Sequence, residues 1–123
     1  MNLANRFIFA GLVYILVGMI LGIIMGATRD FSLHGVHAHI NLLGWVTMVL
    51  FGLVYRSIPA MAKEKLADIQ FWVSNIGFIV MMISLTMVLR GNESVVPILA
   101  ASEFAVVAGM LMFGWVFWKN RTA

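Results

Sequence analysis

Four stretches of the chain, residues 7–28, 37–55, 69–89 and 95–118, hold only one charged residue between them, Glu103. Each is about as long as the ~20 apolar residues a helix needs to cross a bilayer. A backbone in lipid must satisfy its own polar groups, which leaves helices or closed barrels. These runs are continuously apolar rather than alternating, so they read as helices. The expected fold is all-α: one integral-membrane four-helix bundle over residues 1–123, with spans at about 7–28, 37–56, 69–89 and 95–118. Three short loops and two short tails leave no room for a soluble domain. The first span is too long for a signal-peptide core and no A-x-A site follows it, so it reads as a retained helix. Pro59 lies just past the second span, where a helix interior would not tolerate it.

Composition agrees. Apolar residues make up 63% of the chain and charged residues 11%. A sphere of 13.7 kDa cannot hide that much apolar surface from water. Soluble enzymes, disordered linkers and nucleic-acid modules are excluded, and the lipid bilayer is the first partner. The net charge of +3 comes from few charges and is a topology signal. Arg6, Arg56, Lys63, Lys65, Lys119 and Arg121 fall on one side of the spans, while Arg29 and Arg90 fall on the other. By the positive-inside rule both termini are cytoplasmic, in a cytoplasmic (inner) membrane. The histidines then enter from the outer side. Phe7, Phe9, Tyr55, Trp72, Trp115 and Trp118 stand at the inner ends, as an interfacial aromatic belt would. Residues 61–68 read as a solvated loop or a single interfacial turn.

Gly11, Gly18, Gly22 and Gly26 recur seven, four and four residues apart in the first span. They form one stripe on a helix, the pattern of close helix–helix packing. Ten methionines are scattered through the chain and read as lipid-facing or gap-filling. There is no cysteine. Thiolate metal sites and disulfides are therefore impossible, and the histidines become the main candidate ligands.

All three histidines lie in one segment, His34, His37 and His39. His37 and His39 are two apart, so on a helix they point about 200° apart. One metal ion cannot be held by both unless the helix unwinds, but two sites on opposite sides of the helix can. The His37 face continues through Asn41, Gly44, Met48, Gly52 and Tyr55. It offers Asn41 for a hydrogen bond and Gly44 for close approach. The His39 face continues through Leu43, Val46 and Leu50, an apolar wall. Each imidazole in hydrocarbon needs a partner.

The stretch HAHINLLGWVTMVLFGLVYRSIP resembles the tenth transmembrane helix of the haem-copper oxidase subunit I family. The shared pattern is His37, His39, Gly44, Gly52, Tyr55 and Pro59. In that family the two histidines bind two haems, one on each side of the helix. Subunit I has twelve helices in three arcs of four, so a four-helix chain is similar to one arc. The resemblance therefore implies a homotrimer that rebuilds a twelve-helix ring, with closed cyclic symmetry. It also implies haem b at each subunit boundary, held by His37 of one chain and His39 of its neighbour. The family's oxygen-reducing centre needs three further histidines around a copper ion, and this chain has none on its other spans. No catalytic residue is expected. The implied role is electron transfer or redox or gas sensing, with a respiratory electron donor or acceptor as partner.

Glu103 lies roughly 12 Å inside the fourth span, at 1.5 Å per residue. An intramembrane carboxylate marks function by default. It is expected to orient a ligand histidine and tune a haem, to accept a proton linked to haem reduction, or, protonated, to bond Asn75 or Ser74 across a helix interface. Arg29 and Arg90, at the histidine level, are candidate partners for haem propionates. Two other functions fit the same residues. His34, His37 and His39 at a frayed helix end could chelate copper or zinc for binding or transport. Alternatively, the chain is a structural or assembly partner of a respiratory complex.

Overall fold

A computed structural model describes residues 1–123. It is all-helical, with four helices long and apolar enough to cross a membrane. They are α1 (Leu3–Thr28), α2 (His34–Ser57), α3 (Lys65–Leu89) and α4 (Val96–Asn120), the last led in by a 3-10 turn at Glu93–Val95. The helices outrun the uncharged stretches by taking charged residues such as Arg6, Arg56 and Lys65 into their end turns. Asn2 caps α1 by accepting from the Asn5 N–H at 2.8 Å. Arg6, one turn in, reaches Asp68 on α3 at 2.6 Å. Pro59 opens a separate single turn, Pro59–Ala62, between α2 and α3. At the opposite end, Arg29 closes α1 in the left-handed conformation (φ 53°).

Two antiparallel hairpins, α1–α2 and α3–α4, make up the bundle. Lipid supplies no hydrophobic drive between helices, so close packing must hold each pair. The glycine stripe of α1 does this. A Cβ at Gly11 would lie 2.7 Å from Val49, one at Gly18 would overlap Asn41, and one at Gly22 would lie 3.0 Å from the His37 ring. Gly52 of α2 meets the Ala4 carbonyl in the same way. Gly26 faces open space, so the stripe stops short of it. Between α3 and α4, Gly77 meets Ala105 and Gly109 meets Ser74.

The hairpins join through aromatic rings. Phe7 packs on Phe71 at 4.9 Å and on Tyr55 at 5.6 Å, and Phe51 packs on Phe113 at 4.6 Å. This corrects the expected belt. Phe7 and Tyr55 are buried, and only Phe9, Trp72, Trp115 and Trp118 remain exposed. Buried Met81 and Met82 fill gaps, while Met87 and Met110 face outward. Residues 61–68 do more than turn. Met61 is fully buried, and Glu64 accepts from Lys119 at 3.0 Å and from Asn120 at 3.4 Å.

Replacing Gly52 by valine should push α1 off α2, because the obstacle is backbone, and cost about 1–3 kcal/mol. Gly114→Ala, in open space, should cost far less. Thermal unfolding in detergent measures both. Glu64 has its carboxyl held below the usual range by Lys119 and Asn120, and Asp30 has its lowered by hydrogen bonds with Ser32 and by Arg90. A depressed carboxyl stabilises the fold above its unfolded value and loses that effect as pH falls through the folded one. The unfolding midpoint should therefore drop on acidification through the carboxylate range. Glu64→Gln combined with Asp30→Asn should flatten that drop.

Candidate functional site

The histidine end of α2 is not a uniform α-helix. His34–His39 is α-helical, Ile40–Val46 is a π-helix, and Thr47–Ser57 returns to α. The Thr47 N–H bonds the Leu42 carbonyl five residues back, and the Thr47 hydroxyl donates to the same oxygen at 2.8 Å. Such widened turns are often found at functional sites. Apolar periodicity does not reveal this one.

The two faces of α2 are nevertheless separated as the spacing requires. Gly44, Met48, Gly52 and Tyr55 are buried, with His37 and Asn41 half-buried beside them. Val46 and Leu50 are exposed on the other side. His37 lies in the crevice between α1 and α2, its ring against Gly22. The Asn41 amide nitrogen is 3.4 Å from its Nε2. His37 Nδ1 and Asn41 Oδ1 are both buried without a hydrogen-bond partner. Gly44 does not offer ligand access, which corrects its expected role. Phe78 and Tyr14 fill that space, and a Cβ there would lie 2.8 Å from the Phe78 ring.

His39 is exposed. Its Nδ1 lies 2.6 Å from the Gly35 carbonyl oxygen. A carbonyl only accepts, so Nδ1 carries the proton and the Nε2 lone pair is left free. His39 shares a hollow of about 260 Å³ with Ala38, Leu42 and Leu43. Leu43 also lines an adjoining apolar cavity of about 230 Å³. That cavity has Thr47, Met48 and Phe51 on α2, Ser74 and Phe78 on α3, and Val106, Val107 and Met110 on α4. Sharing Leu43, the two form an apolar trench that runs along α2, walled by α2 alone at His39 and by α3 and α4 further down.

His34 is exposed at the helix start, with Nδ1 3.1 Å from the Phe31 carbonyl. The three imidazoles do not converge, and no group of three or more His, Asp or Glu side chains could hold a metal ion. Arg29 is exposed, and Arg90 pairs with Asp30 at 3.2 Å. Glu103 is exposed on α4. Its expected partners are taken. Asn75 accepts from the Tyr14 hydroxyl at 2.7 Å, and Ser74 accepts from Gln70 at 3.0 Å.

Those bonds belong to a buried polar ladder absent from the expected site. Tyr55 donates to Gln70 at 3.0 Å, Gln70 to Ser74, and Tyr14 to Asn75. The available signal was Gln70, Ser74 and Asn75 spaced four and one apart in an apolar run, three polar groups on one helix side.

A free imidazole nitrogen beside an apolar trench is what a porphyrin iron requires on one of its faces. His39 fits that role as it stands. His37 fits it chemically, since it has no hydrogen-bond donor or acceptor satisfying Nδ1, but its ring must turn out of the α1 crevice to reach an iron.

The family model described as Cytochrome C and Quinol oxidase polypeptide I matches residues 29–119. No curated protein and no solved structure matches the chain. Removing the Tyr14 hydroxyl should strand Asn75 Oδ1 inside the bundle. Tyr14→Phe should therefore lower stability by about 1–3 kcal/mol, read from detergent unfolding, and Tyr14→Phe with Asn75→Leu should recover part of that loss.

Proposed function

Because the chain belongs to the cytochrome c and quinol oxidase polypeptide I family, we propose that it is a haem-b-binding membrane protein of that type. It carries single electrons, or registers redox state or a gas, and does not reduce oxygen by itself. The single observation that carries this reading is His39, with its proton fixed on Nδ1 by Gly35 and its Nε2 free beside an apolar trench.

Bound there, a haem iron with two imidazole ligands would supply one-electron redox chemistry. His39 orients its own lone pair through the Gly35 carbonyl, which fixes the tautomer and sharpens the ring's direction. Leu42, Leu43, Val106 and Val107 keep water from the trench. Arg29, exposed at the same end, is available for the propionates, whereas Arg90 is already engaged with Asp30. The second imidazole comes from a neighbouring copy. In a homotrimer that rebuilds the twelve-helix ring, His37 of one copy meets His39 of the next at each boundary. The histidine inventory limits the chemistry. After two ligands only His34 remains, so a copper centre with three imidazoles cannot be assembled from one chain.

On this reading the chain lies in the cytoplasmic membrane with both termini inside, as the distribution of basic residues suggests, and exchanges electrons with a respiratory donor or acceptor at the outer face. The purified, detergent-solubilised protein should show a Soret band and sharpened bands on reduction. His39→Ala should reduce haem content to background, and His37→Ala should remove the bis-imidazole spectrum. A colourless wild-type protein overturns the proposal. Stoichiometric copper or zinc in that colourless protein would point to metal handling, and no metal at all to an assembly role.

A further inference from the structure

Glu103 is an exposed carboxylate inside a membrane span, and the chain holds no cation at its level. The nearest basic residues along the sequence are Arg90 and Lys119, beyond the two ends of the span. No Lys or Arg occurs in residues 7–28, 37–55 or 69–89. An unpaired carboxylate in hydrocarbon is costly, so something must face it.

Its position indicates what. On α4, Glu103 stands one helical turn before Val107, with Met110 a turn further along the same side. Val107 and Met110 form the α4 wall of the trench. On α2, His39 stands one turn before Leu43, which belongs to the opposite wall. Both helices run in the same direction from the histidine end. Glu103 and His39 therefore each stand about one turn beyond the cavity toward the histidine end, Glu103 on its α4 side and His39 on its α2 side. The carboxylate does not serve as the hydrogen-bond partner of the imidazole's second nitrogen, because His39 Nδ1 is already bonded to Gly35. His37 is turned away, into the α1 crevice.

We propose that Glu103 is a positioning residue for the group His39 ligates: its carboxylate, one turn beyond the α4 wall, is the counter-charge to the oxidised iron centre. This rests on the haem reading above. A ferric iron in a porphyrin with two neutral imidazoles carries net positive charge at its core, and reduction removes it. A fixed negative charge across a low-dielectric trench stabilises the oxidised state more than the reduced one. It lowers the midpoint potential and holds ferric haem more firmly than ferrous. The residue does not bind iron and takes no part in breaking bonds.

The test is a redox titration of wild type, Glu103→Gln, Glu103→Asp and the exposed loop control Glu93→Gln, followed at the haem bands. The Gln variant should shift to a higher midpoint potential. The Asp variant should stay closer to wild type, and the Glu93 control should not move. A Gln variant with full haem content and an unchanged midpoint overturns the inference and leaves the haem reading standing. A colourless wild type overturns the haem reading and this inference with it. If the Gln variant retains its helical circular dichroism but loses haem, retention is compared in the two oxidation states. Selective loss of ferric haem supports the counter-charge, and equal loss of both overturns it.

Discussion

Gly18 and Gly22 of α1 carry no Cβ, and the Asn41 and His37 side chains of α2 occupy the space one would need. That close approach sets the rotation of α2 about its axis. With Asn41 against Gly18 and His37 against Gly22, the face bearing His39 has to turn the other way. In water the hydrophobic effect could hold two helices together loosely. In lipid only contact distance and hydrogen bonds distinguish one packing from another, so the small residues decide the geometry. The direction of both imidazoles follows from this contact.

The second hairpin is fixed by a different means. Tyr14 to Asn75 and Tyr55 to Gln70 cross from the first hairpin to the second, inside a cluster of Phe7, Phe51, Phe71 and Phe113. Each tyrosine hydroxyl buried away from water must find an acceptor. An amide on α3 supplies each one, which sets the height of α3 against α1 and α2. Salt bridges at the ends, Arg6–Asp68 and Lys119–Glu64, are exposed and add little by comparison. The result is a bundle with polar groups inside and an apolar exterior, and the trench that starts beside His39 runs along α2 into the gap left between α2, α3 and α4.

Much was legible from the residues. Four spans follow from charge spacing, since a bilayer excludes unpaired charge. The two-sided histidine pair follows from the angle between helical residues two apart. The glycine stripe announced a close neighbour for α1. Other features were hidden. The π-helix at Ile40–Val46 leaves no trace in composition. Phe7 and Tyr55 stand at span ends, where interfacial aromatics belong, yet they are core because another hairpin covers them. Glu103 was expected to meet Asn75 or Ser74, but Gly109 packs on Ser74 and Gly77 on Ala105, so those two side chains lie a turn or more further down α4, and they turn toward Tyr14 and Gln70.

The sequence by itself determined that this chain is a four-span membrane protein with an H-x-H helix like that of oxidase subunit I. Hydropathy and local spacing are properties of single helices, and lipid makes them decisive. Only the tertiary structure decided which imidazole is enclosed and which is free, that Gly44 is filled by Phe78 and Tyr14, and that Glu103 and His39 flank the same end of one cavity. Those outcomes depend on how helices rotate against one another. That rotation is set by contacts between residues distant in sequence, so no single segment encodes it.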